Sequence, residues 1–424
     1  MKKYIERLGN IIEDQIPEHP KRARNLLSAA YTWVAFSSSH NHKQDLHAAY
    51  NRINGTLADT MVASFRQPQS TVMVNLFMPC ELLHALKLQP MFPEGLSAYL
   101  ACTACQNIFA ETAEAKDIPE TFCSYHKTML GIAKTGVLPA PLMIADTTLA
   151  CDANQLSFRS LADLYHVPHT VIDVPFSEDA EAVHYVAAQL MTLTEQLEDL
   201  CHRKLSPERL QEVIAYSNRT ITLRKAYLKQ RGAVTLPSTL SGELCSMAAN
   251  HVLLGRKETE MHMKELIRAA EKAPSRESSR KKRIFWCHTL PIWQDSMKQI
   301  FESDDRCEIV GNDLSLDWLG PMNPDIPYES MARRILGNIC NGPSERRIEA
   351  ILHYAKVTKT DGIILFCHWG CKQTLGMSQQ AKLAFEAAGF PTLILDGDGC
   401  DSRNVADGQM VTRVNAFLEQ LEEK

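Results

Sequence analysis

A chain of 424 residues exceeds the size at which a single hydrophobic core keeps growing, so we expect two or three domains. With 45% hydrophobic and 22% charged residues the composition is ordinarily globular, and a net charge of -5 gives no reason to expect nucleic acid or an anionic membrane as a partner. No apolar stretch reaches the roughly 20 residues of a membrane span, and the acid-containing start "MKKYIERLGNIIEDQIPEHP" does not resemble a signal peptide, so we expect a cytoplasmic protein.

The predicted elements fall into four regions along the chain. Residues 1–70 form an N-terminal helical segment, because apolar residues recur there at helical spacing. Residues 71–174 alternate strand-like runs with helix-length segments and predict a first α/β domain. Residues 175–282 carry long helical patterns, which indicate a connector or a dimer surface, and they end in the polar linker "KAPSRESSRKKR". Residues 283–424 alternate again and predict a second α/β domain.

The strand-like runs define the expected fold class. They are "TVMVNLF", "PLMIADTT" and "HTVIDV" in the first α/β region, and "RIFWCH", "CEIVGND", "GIILFC" and "PTLILDGD" in the second. Continuous apolar runs of this length, separated by helices, are typical of parallel strands that are buried on both faces. We therefore expect two doubly wound parallel sheets, flavodoxin-like or Rossmann-like, joined by helices.

Thirteen cysteines in a chain with no export signal are not expected to form a disulfide framework. They are thiols or metal ligands, and any one of them could equally be a small buried core residue. The close pair "CTAC" at 102–105 lies in an apolar stretch that we predict to be helical, with no second pair. Helix packing is therefore a better account of this pair than a structural zinc site.

Four other cysteines follow predicted strands directly: Cys80 and Cys151 in the first α/β region, and Cys371 and Cys400 in the second. Because the carboxyl ends of parallel strands share one edge of a sheet, each pair should lie at one edge. Two more, Cys123 and Cys340, occur in loops or at helix starts between these elements. Six thiols, three from each half, can then face a cleft. Their wide spacing suits an iron-sulfur cluster better than zinc.

Several segments of the sequence resemble a known family. "MPCELLHAL", "ETFCSYHKTMLG", "TLACDANQLSFRSLADLYHVPHTVIDVP" and the ending from "HWGCKQTLG" to "AFLEQL" are similar to the 2-hydroxyacyl-CoA dehydratase and benzoyl-CoA reductase D-component family. The resemblance covers most of the chain, is weak in the helical middle, and is stronger toward the double-cubane cluster protein branch. It implies that Cys123, Cys151 and Cys371, which match the dehydratase ligands by motif, hold one cubane.

The resemblance also implies a second cubane, because Cys80, Cys340 and Cys400 are additional to the dehydratase set. The expected cofactor is thus a double-cubane 8Fe-9S cluster with six cysteine ligands, and the alternative is one 4Fe-4S cluster. Cys287 and Cys367 are possible replacements for one of the six, whereas Cys201, Cys245 and Cys307 look structural.

The function implied by the resemblance is that of an iron-sulfur reductase of small molecules. The chain has no G-x-x-x-x-G-K-S/T loop, so ATP hydrolysis is expected in a partner: a 4Fe-4S activator of the acetate kinase and Hsp70 type that passes single electrons. A homodimer is also expected. The alternatives are a 2-hydroxyacyl-CoA dehydratase subunit and a non-enzymatic cluster scaffold.

Polar residues beside the cysteines are the candidate proton donors. Glu81 and His84 could supply protons, although Glu81 could instead stabilise the first turn of its helix. His126 and Lys127 could donate hydrogen bonds to cluster sulfurs, and His368 and Trp369 could wall the pocket, with a purely structural role as the alternative for each.

The acidic segment "DGDGCDSR" is the last candidate. Its carboxylates, Asp396, Asp398 and Asp401, have hard oxygens that suit magnesium better than iron-sulfur. Loop formation and an ion pair to Arg403 is the better account of this segment.

Overall fold

The computed structural model describes residues 2–40, 46–103 and 105–423. Three helices open the chain: α1 (Lys2–Gln15), α2 (Pro20–Ser39) and α3 (Leu46–Arg66). Helices α2 and α3 pack together, and buried residues of all three helices reach the first sheet. Every helix in the described part of the chain is too short or too polar to cross a membrane.

The first α/β region contains a four-stranded parallel sheet with the strand order β2-β1-β3-β4. Its elements are β1 (Thr71–Val74), α4 (Glu81–Ala85), β2 (Gln89–Met91), α5 (Pro93–Ala101), α6 (Gln106–Glu114), α7 (Ser124–Lys134), β3 (Met143–Thr147), α8 (Asp152–Tyr165) and β4 (His169–Ile172). The expected parallel strands are confirmed, and β2 is an addition. The segment "CTAC" was predicted to be helical, but its described residues Cys102, Thr103 and Cys105 lie between α5 and α6.

Four long helices connect the two sheets: α9 (Ala180–Cys201), α10 (Pro207–Arg231), α11 (Leu240–Val252) and α12 (Lys257–Glu271). These helices also pack against the first α/β region and the N-terminal helices. Buried residues of α9 and α10 pack in the same core as Val72 and Met143 of the first sheet, and α11 and α12 contact α3. The linker that follows is mostly exposed, but its last residue, Arg283, is fully buried.

The second α/β region repeats the topology of the first, with the strand order β6-β5-β7-β8. Its elements are β5 (Lys282–Cys287), α13 (Asp295–Lys298), β6 (Cys307–Asn312), α14 (Pro327–Leu336), α15 (Ser344–Val357), β7 (Gly362–His368), α16 (Lys372–Ala387), β8 (Thr392–Gly397) and α17 (Asp407–Glu422). The α/β prediction with two doubly wound sheets is confirmed. In such sheets the ligand crevice lies outside the carboxyl ends of the strands, where the strand order reverses.

Alternation along the strands of the second sheet sorts its side chains onto two faces. Ile284, Trp286 and Phe366 face one core, while Cys287 and Cys367 face the other. Both of these cysteines therefore pack among aliphatic and aromatic side chains.

A buried ion pair joins the end of the linker to the second sheet. Arg283 on β5 and Glu308 on β6 are fully buried and 2.6 Å apart.

We expect Glu308→Gln to lower the free energy of unfolding by about 3–5 kcal/mol, because the guanidinium loses its carboxylate partner in the interior. The matched control is Asp305→Asn, whose Lys281–Asp305 pair is equally short at 2.7 Å but has a 95% exposed carboxylate. It should change stability by less than about 1 kcal/mol. Urea unfolding measures both, and equal losses would contradict the expectation.

Candidate functional site

Three of the six predicted ligands, Cys123, Cys151 and Cys371, line one cavity of about 270 Å³ between the two sheets. Each is the residue that immediately precedes a helix, namely α7, α8 and α16. The first turn of a helix carries free N–H groups and the positive end of the helix dipole, and both stabilise a thiolate. Three positive helix ends therefore meet at three sulfur atoms.

The chain reaches this geometry through left-handed backbone. Gly370, just before Cys371, has φ +77°, and a Cβ there would lie 2.5 Å from the backbone nitrogen of Cys123 and 2.6 Å from its Cα. Only glycine permits this approach of the second α/β region to the first. Ala150, just before Cys151, has φ +70°, and His288 has φ +78°. Two non-glycine residues in this conformation mark local strain at the cavity.

Each of the three cysteines faces one histidine ring. The Sγ to Nε2 distances are 3.3 Å for Cys123 and His368, 3.5 Å for Cys371 and His288, and 4.0 Å for Cys151 and His126. All three histidines line the cavity. An N–H group directed at a thiolate, or at a metal-bound sulfur, stabilises its negative charge.

The proton of His368 can be assigned from its neighbours. The backbone N–H of Gly399 donates to Nδ1 of His368 at 3.0 Å. A neutral imidazole that accepts at Nδ1 carries its proton on Nε2, so His368 donates to Cys123 Sγ. Burial lowers the pKa of His368, and the Asp398 carboxylate nearby opposes that shift.

The three thiols are electrostatically coupled. Burial raises the pKa of Cys123 well above its ordinary value, and Cys151 and Cys371 raise it further. Burial also raises the pKa of Cys151 to about 12, with Cys371 as the next cause. Cys123 and Cys151 are therefore protonated unless a positive charge lies between the sulfurs. A cationic iron centre supplies that charge, so the donor set fits one.

The same set does not fit a single metal ion. Within the described ranges, no three His, Cys, Asp or Glu side chains converge as the ligands of one ion do. A cluster binds each thiolate at a different iron atom, so its ligands stand further apart.

The other three predicted ligands, Cys80, Cys340 and Cys400, are also buried but do not line this cavity. Cys80 Sγ donates to the carbonyl of Met78 at 3.4 Å. Cys400 Sγ lies 3.4 Å from both Thr128 Oγ1 and the carbonyl oxygen of Ser97. Cys340 lines a neighbouring cavity of about 260 Å³, and Gln373 borders both cavities. The structure thus brings together three of the six.

The first pair of predicted proton donors lies outside the cavity. Glu81 is fully buried and forms two hydrogen bonds to Arg334, at 2.6 and 2.9 Å, and one to Ser217 at 3.0 Å. His84 contacts the carbonyl oxygen of Val252 at 2.9 Å, and burial lowers its pKa to about 3. These contacts favour structural roles for both residues.

Of the remaining predicted residues, only His126 and His368 line the cavity. Burial lowers the pKa of His126 to about 3, and its Nδ1 has no hydrogen-bond partner among the described residues. Lys127 is paired with Glu114 at 2.7 Å, and Trp369 is exposed and donates to the carbonyl of Glu120 at 3.2 Å.

The carboxylates of the acidic segment form hydrogen bonds and ion pairs that hold its own loop, as the structural alternative predicted. Asp398 accepts the backbone N–H groups of Cys400 and Asp401, both at 2.8 Å. Asp401 is paired with Arg403 at 2.7 Å, and Asp396 is paired with Arg413 at 3.1 Å.

The residues of the cavity wall that had not been singled out in the sequence as site residues include Glu94, His288 and Cys245. Cys245 was expected to be structural. Glu94 stands in the first turn of α5, its buried Oε2 has no partner in the described structure, and burial raises its pKa to about 8. The sequence position of His288 could have identified it, since it follows β5 directly. No sequence pattern pointed to Glu94, because it follows the unpredicted strand β2.

Comparisons with known proteins agree on one family. The profile described as 2-hydroxyglutaryl-CoA dehydratase, D-component, matches residues 75–421. The chain is 25% identical over 398 residues to the (R)-2-hydroxyisocaproyl-CoA dehydratase alpha subunit of Clostridioides difficile, which covers 88% of this chain and 96% of that subunit.

The chain is also similar to both subunits of (R)-phenyllactyl-CoA dehydratase from Clostridium sporogenes, with 24% identity to each. The alpha alignment covers 80% of this chain and 87% of the subunit, and the beta alignment covers 73% and 84%. Both subunits of that enzyme are thus related in sequence to this chain.

The close approach at Gly370 can be tested by substitution. We expect Gly370→Ala to destabilise the protein by at least about 1–2 kcal/mol, the cost of a left-handed non-glycine residue, with the clash against Cys123 in addition. The control is Gly376→Ala in α16, where a Cβ would meet no atom within 4 Å. It should be neutral or stabilising by up to about 1 kcal/mol. Urea unfolding distinguishes the two variants, and an unchanged midpoint for Gly370→Ala would contradict the assigned contact.

Proposed function

Because the chain belongs to the 2-hydroxyglutaryl-CoA dehydratase D-component family, we propose that Cys123, Cys151 and Cys371 hold an iron-sulfur cluster in the shared cavity. The observation that carries the proposal is the meeting of three thiols at three helix N-termini on one cavity wall. The reaction that this geometry supports best is the dehydration of a 2-hydroxyacyl-CoA at one 4Fe-4S cluster.

A second candidate keeps all six predicted ligands. Cys80 and Cys400 are buried beyond the ends of β1 and β8, and Cys340 is buried after α14; the three would hold a second cubane in a double-cubane 8Fe-9S reductase of small molecules. This form requires the segments that carry them to turn toward the cavity, because their side chains do not line it.

The roles of the residues follow from their places on the wall. When bound, the cluster supplies single electrons at low potential. His368 holds a proton on Nε2 and donates it to Cys123 Sγ, and His288 and His126 lie in the corresponding positions at the other two sulfurs. Departure of a hydroxyl group needs a proton, and the Glu94 carboxyl, with its raised pKa and unpaired Oε2, can hold one at neutral pH.

The proposed partners come from the resemblance and from the subunit names of the relatives. The electron donor is a separate ATP-hydrolysing 4Fe-4S activator of the acetate kinase and Hsp70 type. The relatives are named as alpha and beta subunits, so a second chain of the same fold is proposed to pair with this one, either a copy or a homologue. We propose a cytoplasmic location for the assembly.

Iron content tests the proposal and separates its two forms. Protein purified without oxygen should contain about four iron atoms and four acid-labile sulfides per chain for one cubane, and about eight irons for two. With one cubane, Cys151→Ser and Cys371→Ser lose the iron, whereas Cys80→Ser, Cys340→Ser and Cys400→Ser keep it. With two cubanes, each of these five substitutions lowers the iron content.

The control for this series is Cys307→Ser on β6, whose Sγ contacts only the carbonyl of Ile300 at 3.7 Å among the described residues. It should keep its iron in either form. Absence of iron after anaerobic reconstitution of the wild-type chain, checked by the electron paramagnetic resonance spectrum of the reduced sample, would exclude both forms.

The pH dependence of Glu94 gives an independent test. If this carboxyl is the proton donor, kcat falls as the pH rises through about 8, its raised pKa, and Glu94→Gln lowers kcat by about 10²–10⁴-fold. The free energy of unfolding also falls as the pH rises through this range. The unfolded chain releases this proton near pH 4.5, so wild type loses stability relative to Glu94→Gln between pH 4.5 and about 8.

Thermal unfolding of the two proteins across that range measures the difference without any substrate. A constant difference in stability would show that the carboxyl titrates normally. The matched control is Glu349→Gln, a substitution of an exposed residue on α15.

A further inference from the structure

The cavity wall away from the three cysteines is apolar. Five side chains, which we call the apolar wall, form this part of it: Leu57, Phe92, Leu244, Met247 and Ala248. They come from α3, from the residue before α5, and from α11. Leu57, Phe92 and Ala248 also pack with one another in one hydrophobic cluster. A ligand that lies against these five side chains contacts carbon atoms rather than polar atoms.

Three polar groups beside the apolar wall are already paired with one another. Tyr99 donates a short hydrogen bond from its hydroxyl to Asn54 Oδ1. Cys245 Sγ lies 3.7 Å from both the Tyr99 hydroxyl and Asn54 Oδ1. These three groups satisfy one another, so they offer a ligand little beyond their apolar surfaces.

The lining residues of the described chain include no lysine and no arginine. Nε2 of each of the three histidines lies 3.3 to 4.0 Å from a cysteine sulfur atom. The carboxyl group on this wall is Glu94, which cannot compensate a second acid. A ligand carboxylate placed here would be desolvated without a counter-charge, and that is strongly unfavourable.

We propose that this cavity selects a small ligand that is uncharged and apolar where it meets the apolar wall, and that it rejects ligands with a carboxylate there. For the thioester substrate the inference rests on the proposed function: the acyl group carries an aliphatic or aromatic side chain. The dicarboxylic 2-hydroxyglutaryl group, from which the family takes its name, is excluded as the substrate.

Ala248 determines the space beside the apolar wall. Its side chain is 7% exposed and faces the cavity from α11, so a larger residue there extends into the cavity. Arginine at this position adds the missing positive charge. Phenylalanine adds apolar volume and no charge. The two substitutions therefore separate charge selection from size selection.

The test compares two unreactive thioesters that share coenzyme A, 4-methylpentanoyl-CoA and glutaryl-CoA, by titration calorimetry on anaerobically purified protein of measured iron content. We expect the branched aliphatic ester to bind about 100-fold more tightly, the discrimination that an apolar pocket achieves against a ligand that adds a polar group. Ala248→Arg should reduce or reverse this ratio. Leu383→Arg, at a 59% exposed position on α16, adds the same charge outside the cavity and should leave the ratio unchanged.

Equal affinities, or tighter binding of glutaryl-CoA by the wild type, would overturn the inference. If Ala248→Arg does not fold, Ala248→Phe provides the second variant. It should weaken 4-methylpentanoyl-CoA by at least about tenfold while propanoyl-CoA, with its shorter chain, retains its affinity. Equal weakening of both esters would also count against the apolar wall as the site that selects the acyl group.

Failure of the proposed function has a different signature. If iron is present but neither ester binds, the dehydratase reaction is wrong, and the cavity is then tested with 4-methylpentanamide and glutaramate by ligand-observed NMR. Preference for the amide without a carboxylate supports the inference, and absence of that preference overturns it. If iron is absent, the cluster proposal fails, and the same pair of amides still decides the question for the apoprotein.

Discussion

Three helix N-termini meet at one cavity, where the backbone of Gly370 in the second half of the chain packs against the backbone of Cys123 in the first. Gly370 lies against the backbone of Cys123 at a distance that no other residue permits. This contact places Cys371, from the second sheet, beside two cysteines that follow elements of the first region. The histidines, the coupled thiols and the apolar wall all surround the space that this contact closes.

Buried ion pairs hold the same arrangement from outside the cavity. Glu81 at the start of α4 binds Arg334 on α14, which links the first α/β region to the second. Asp313 accepts the backbone N–H of His288 at 2.7 Å and also binds Arg347 on α15 at 2.8 Å. The left-handed conformation of His288 is therefore held by a charged network. Charged groups of the interior hold the backbone here, whereas the described cavity lining includes no lysine and no arginine.

The elements that follow from a local sequence pattern were predicted from the sequence alone. Seven strands appear as buried apolar runs, whereas β2 is a three-residue Gln-Pro-Met segment whose proline and length hide it. The strand-end rule and the family motifs identified Cys123, Cys151 and Cys371. Grouping them with His288 and Glu94 needed tertiary contacts across more than eighty residues, as between Cys371 and His288. The same limit applies to Cys80, Cys340 and Cys400, whose side-chain directions no local pattern reveals. The role of all six cysteines as ligands stays a prediction.

Because Gly370 packs against Cys123, the distances between the sulfur atoms depend on how the two halves of the chain pack together. Cys123 packs in one hydrophobic cluster with Ile284 and Phe366 of the second sheet, so rotation of one sheet about the other would change the separation of Cys123 and Cys371 and disturb that cluster as well. Anything that binds across the three sulfurs therefore also holds the two halves of the chain in this arrangement.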